Sequence, residues 1–125
     1  MKPPTIEDIS QATADVYGVE PSFILQDTNK KEVVKLRHIT QYLCRRFTEY
    51  TLENIAAMVE GRTNHATVIH ACKKIAFEKE RYNDTTYLVN SIIKKLDERG
   101  FAVGKDIIRA TDVEWYKGGM NYKTE

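Results

Sequence analysis

The stretch GRTNHATVIHACKKI, residues 61–75, gathers the side chains of this sequence that can do chemistry. It holds an amide, two imidazoles, a hydroxyl and two ammonium groups, and a short polar run containing a glycine leads into it. At about 100° per residue, a helix through this segment has two distinct faces. With Val68 as the reference direction, Ile75 lies about 20° away, Cys72 about 40° and Ala71 about 60°, which makes an apolar face. Ala66, His70 and Lys73 lie within about 40° of the opposite direction, with Thr67 and Lys74 flanking them at about 100–120°. A helix with small residues at its leading end and cations behind them suits the major groove of a DNA duplex. There Asn64 can pair with adenine, Ala66 can meet a thymine methyl, and His65 stands beside them at the leading end. Thr67, His70, Lys73 and Lys74 suit phosphate oxygens.

A plainer reading stands beside this one. The same lysines fit the solvated face of any amphipathic helix, and Asn64 or Thr63 fits a helix cap. A metal site is not expected, because His65 and His70 sit about 140° apart around the helix and cannot share one ion from one face. No carboxylate pair and no nucleophile with a base has usable spacing, so an enzyme is not expected, nor is a cofactor or a small-molecule substrate. Cys44 and Cys72 each fall inside an apolar helical pattern and belong to no CxxC pair, so both are expected as small buried hydrophobes.

The elements that must position residues 61–75 can be read from periodicity. Thr5 opens a helix whose apolar residues Ile6, Ile9, Ala12, Val16 and Tyr17 recur at spacings of three and four, with Thr5 and Asp8 as a capping box and Gly18 as the stop. Pro21 starts a short helix through Leu25. QDTNKKE is a loop. Residues 32–48 form a long helix buried through Val33, Leu36, Ile39, Tyr42 or Leu43, and Phe47, with Lys35, Arg37, His38, Arg45 and Arg46 largely on its other faces. Thr51 caps a third helix, TLENIAAMV. The helix of interest then runs over 64–81 and a further one over about 85–98, closed by Gly100. Helix, glycine-containing turn, helix is the organisation of a helix-turn-helix. The segment DIIRATDVEWYK is expected as a short strand pair or an extended arm. The domain therefore covers residues 1–99 and a C-terminal extension of uncertain structure covers 100–125.

At 125 residues, with 42% hydrophobic and 30% charged side chains, the chain has the size and composition of one globular domain. No apolar run approaches the roughly 20 residues of a membrane span, and MKPPTIEDIS carries no signal-type segment, so the sequence reads as cytosolic, without a membrane partner. The net charge of +1 conceals an asymmetry. Residues 1–29 hold one basic and five acidic side chains, residues 30–81 eleven basic and six acidic, and residues 82–125 seven of each. The basic middle can bind a polyanion locally without a high overall pI.

GRTNHATVIHACKKI, with TIEDI, YLCRRFT and TLENIA ahead of it, resembles the C-terminal DNA-binding domain of the bacterial replication initiators of the DnaA family. That family's signature runs approximately G-R-D-H-[ST]-T-V-x-H-A, and the similarity extends from about Thr5 to Leu96. The resemblance implies an all-α bundle with a helix-turn-helix of the Trp-repressor type. It implies that Asn64 and His65 match the base-reading pair, Ala66 a base-contacting hydroxyl residue and Thr67 a phosphate contact. His70 matches the signature histidine, Lys74 a basic residue one turn on, and Arg45 and Arg37 the basic residues late and early in the preceding long helix. Thr51 and Leu52 would meet the backbone from the start of the TLENIA helix. Lys30 and Lys31, after Asn29, stand where the family places an arginine in the minor groove.

The departures are specific. One extra residue lies between the TL pair and the signature histidine, within EGRTN, so Arg62 and Thr63 sit in a longer turn and join the candidate set. Asn64 replaces an acceptor-only Asp with a group that also donates. Ala66 has no hydroxyl. The sequence holds no G-x-x-x-x-G-K-[ST] loop, so the resemblance implies a stand-alone reader without the ATPase motor. The expected function is sequence-specific binding of double-stranded DNA, in replication control or transcriptional regulation, in the cytoplasm with the nucleoid. The alternative is a protein-interaction module or nonspecific DNA binder that kept the fold and lost the reading. A protein partner would then dock on the aromatic C-terminal extension.

Overall fold

The computed structural model describes residues 1–59, 64–104, 106–107, 109–112 and 115. Its described residues form six helices: α1 (Ile6–Tyr17), α2 (Pro21–Ile24), α3 (Lys31–Phe47), α4 (Leu52–Ala56), α5 (Ala66–Glu78) and α6 (Asn83–Glu98). Among them the backbone forms no strand beyond one isolated bridge, Lys2 to Phe101, so the fold is all-α.

Each helix begins and ends where local chemistry directs. Thr5 Oγ1 accepts from the Asp8 amide at 3.1 Å, and Asp8 Oδ2 accepts from the Thr5 amide at 2.8 Å, the reciprocal box expected there. Gly18 ends α1 at φ 83°, a left-handed conformation that glycine adopts without steric cost. Thr51 and Asn54 repeat the box at α4. α5 is shorter than the 64–81 expected, because Asn64 and His65 form its entry and Lys79 its exit.

α3 is the central element. Its apolar residues Val33, Leu36, Ile39, Tyr42, Leu43 and Phe47 are buried, and it packs on α1, α2, α4 and α5. Tyr42 and Leu43, offered as alternatives for one core position, are both inside. Ile55, Ala56 and Val59 from the α4 region, Val68, Cys72 and Ile75 from α5, and Val89, Ile92 and Leu96 from α6 complete the core with Ile9 and Ala12 of α1. Cys44 and Cys72 are buried free thiols, and burial pushes the Cys72 thiol up to about 12. No described helix is long and apolar enough to cross a membrane.

Arg37 and Arg45, expected largely on faces other than the apolar one, are nevertheless buried at 4% and 6% exposure. Seventeen residues packed by four other helices leave no side fully solvated, and both arginines find carbonyl or carboxylate partners inside.

The segment after α6 is neither a strand pair nor a detached arm in its described residues. Phe101 and Ala102 meet Lys2, and Val103 is buried. Asp106, Ile107 and Arg109 lie along the end of α3, a 3₁₀ turn spans Ala110–Asp112, and Trp115 closes on the core. We call the described residues within 106–115 the strap.

Candidate nucleic-acid interface

α4 and α5 pack on each other and on α3, which fixes the direction of α5. Val68, Ala71, Cys72 and Ile75 are buried, while Ala66, His70, Lys73 and Lys74 are exposed and Thr67 is half-buried. The faces derived from helical periodicity are therefore those of the folded chain. At the leading end, Asn64 and His65 are exposed. Asn64 Oδ1 accepts from the Ala66 amide at 2.9 Å, closing the start of the helix. Its carbonyl accepts the Thr67 hydroxyl at 2.9 Å, so that hydroxyl must turn before it can donate to a phosphate. Arg62 and Thr63 lie outside the described residues.

Two concave regions flank α5. The first, a cleft of about 570 Å³, is lined by Lys31, Lys35, His38 and Lys74, with Asn29, Glu78 and Asp84. It joins the loop before α3 to the outer side of α5, which brings Lys31 and Lys74 into one region. Lys30, the residue before α3, is exposed. Lys35 pairs with Asp84 at 2.8 Å. His38 meets His70 edge to face, with ring centroids 5.8 Å apart. Burial, then the electrostatic influence of the neighbouring Lys74, His70 and Arg37, holds the His38 imidazole down at about 4. His38 was not a sequence candidate; its spacing along α3 gives no sign that α5 delivers His70 and Lys74 to it.

The second region, about 450 Å³, is lined by Arg45, Thr51, Leu52, His65 and Arg109, with Glu49 and Glu53. Here two arginines and two glutamates share one lining, and the carboxylate of Asp112 lies behind them. Arg45 donates Nε to Asp112 Oδ2 at 2.6 Å and Nη2 to Asp112 Oδ1 at 3.1 Å, a bidentate pair in which Asp112 is fully buried. Its Nη1 reaches the Tyr50 carbonyl at 3.3 Å, and Trp115 stacks 5.7 Å from the guanidinium carbon. Removing one member of a buried pair costs about 3–5 kcal/mol. A charge-assisted hydrogen bond contributes about 1.5–3 kcal/mol.

Arg37 is engaged in a similar way. Its Nη1 donates to the Gln26 carbonyl at 2.5 Å and Nη2 to the Thr28 carbonyl at 3.2 Å, bracing the loop that presents Lys30 and Lys31. Of the expected contacts, Lys31 and Lys74 line one cleft, Lys30, Ala66, His70 and Lys73 are exposed, and the two α3 arginines are buried. Asp112, Arg109 and Trp115 were missed by sequence reasoning. The only local sign was a tryptophan and an Arg-x-x-Asp pair in a segment without periodicity, and the partner of Asp112 stands 67 positions away.

Comparison with known proteins bears on the same residues. Residues 6–75 match the family described as bacterial dnaA protein helix-turn-helix. The chromosomal replication initiator protein DnaA of Thermodesulfovibrio yellowstonii is 36% identical over 95 residues, covering 76% of this chain and 22% of that protein. The protein of the same name from Bacteroides thetaiotaomicron is 32% identical over 94 residues, 73% of this chain and 20% of its own. The chain spans about a fifth of the length of these two curated relatives.

Proposed function

Because the chain belongs to the bacterial DnaA helix-turn-helix family, we propose that it is a non-enzymatic protein that binds double-stranded DNA with α5 in the major groove. The observation that carries this reading is the exposed face of α5, where small Ala66 leads and His70, Lys73 and Lys74 follow. Asn64, His65 and Ala66 read base edges, with Arg62 and Thr63 entering from the turn. Thr67, His70, Lys73 and Lys74 hold phosphates, and Thr51 and Leu52 approach the backbone from α4. Lys30 and Lys31 approach the minor groove, as point charges without the planar fork of arginine. The role is control of replication or of transcription, in the cytoplasm with the nucleoid.

One observation favours a second reading, binding without sequence preference. Asn64 Oδ1 already accepts the Ala66 amide, and Ala66 offers no hydroxyl, so two of the base-reading positions have reduced vocabulary. Selection from a random duplex library at two salt concentrations separates the readings. An enriched motif supports the reader. Salt-sensitive binding with no motif supports the nonspecific binder, and absence of duplex binding at low salt overturns both in favour of a protein-interaction module.

A further inference from the structure

The strap meets α3 where a helix needs outside help. The last carbonyls of any helix lack partners within it, and the helix dipole concentrates negative charge there. Ile107 donates its amide to the Arg46 carbonyl at 2.7 Å. Arg109 donates to the Arg45 carbonyl at 3.0 Å and, just past the helix, to those of Thr48 at 2.9 Å and Tyr50 at 3.3 Å. Asp106 pairs with Arg46, and Asp112 accepts from Nε and Nη2 of Arg45. The strap thus caps α3 and fixes the Thr48–Tyr50 link that leads into α4, the first helix of the helix-turn-helix. The groove in front of Arg45 carries Glu49 and Glu53, which oppose an incoming phosphate.

We propose that Arg45 is a positioning residue and not a DNA contact: with Asp112, Arg109 and Trp115 of the strap, it sets the α3–α4 junction and hence the angle at which α5 is presented. This rests on the duplex-binding reading. Arg109 and Asp112 are outside the residues that match the family.

The test compares affinity against salt for one fixed random-sequence duplex. The proteins are the full chain, Asp112→Asn, the paired variant Arg45→Gln/Asp112→Asn, and Lys74→Ala as a reference for a lost phosphate contact. The paired variant keeps two amides where the ion pair stood, so it leaves no unpaired buried charge. The proposal expects Asp112→Asn and the paired variant to bind about 3- to 10-fold more weakly with the salt slope unchanged, while Lys74→Ala lowers the slope by about one. A slope lowered by about one in the paired variant overturns it, because Arg45 then neutralises a phosphate. Tighter binding by Asp112→Asn also overturns it, because Asp112 is then a competitor of DNA.

Should the full chain bind no duplex at low salt, the duplex reading falls and thermal midpoints decide the rest. Arg45→Gln and Asp112→Asn each lowering the midpoint, with a paired loss smaller than their sum, uphold the junction role. No change in either single variant overturns it.

Discussion

His65 caps the start of α5, Lys74 lies more than two turns on, and the two are expected to fail differently. Lys74→Ala should weaken binding to every duplex and flatten the salt dependence by about one unit. His65→Ala should erode discrimination by about 1–3 kcal/mol per lost base contact, read as the ratio of affinities for the selected site and a scrambled one. Equal losses on both duplexes for His65→Ala would remove it from the readers. His38 makes a prediction without DNA. Its imidazole is held at about 4 against an ordinary 6.5. Between those values the unfolded chain binds a proton that the folded chain refuses. Stability from this group is therefore full above about pH 6.5 and is lost as pH falls toward 4. Urea midpoints measured across that window should fall for the native protein and fall less for His38→Gln. These side chains differ in how legible they were. The faces of α5 followed from 100° steps because Ala66–Glu78 is a regular helix with one buried side. The burial of Arg37 and Arg45 was not legible, because a long cation on a helix packed on several sides is sorted by distant partners, and periodicity carries no word of those.

At the scale of elements, α3 bears the load for both the core and the interface. Leu43 is fully buried in the core, and Leu43→Ala should cost about 2–5 kcal/mol by denaturant unfolding. The caps contribute less individually but aim the elements. Thr51→Ala removes the acceptor for the Asn54 amide and should cost about 0.5–2 kcal/mol. Helix positions were largely legible: Thr5 with Asp8, Gly18, Pro21 and Thr51 are local signals, and the structure uses each where it stands. The strap was not legible in the sequence. Its described residues are held by contacts with carbonyls and a guanidinium more than 50 positions earlier, which no local pattern encodes.

For the molecule as a whole, residues 1–99 and the described residues of the extension share one core, since Val103 and Trp115 belong to the same apolar cluster as Ile39 and Leu96. Heating or denaturant should therefore melt the extension and the helices in a single transition, with near- and far-ultraviolet circular dichroism superimposing; an earlier separate loss of the near-ultraviolet signal would show the extension to be an independent unit. Trp115 gives that experiment a second use. It is the sole tryptophan of the chain, 8% exposed, with the Arg45 guanidinium against its ring. Its fluorescence is consequently a native optical gauge of the strap, blue-shifted while the ring is sheltered and moving to the red as it enters water. Titrating duplex DNA into the unlabelled protein thus reports whether the strap stays seated while α5 is occupied, and a steady emission maximum through saturation is the signature of a brace that never lets go.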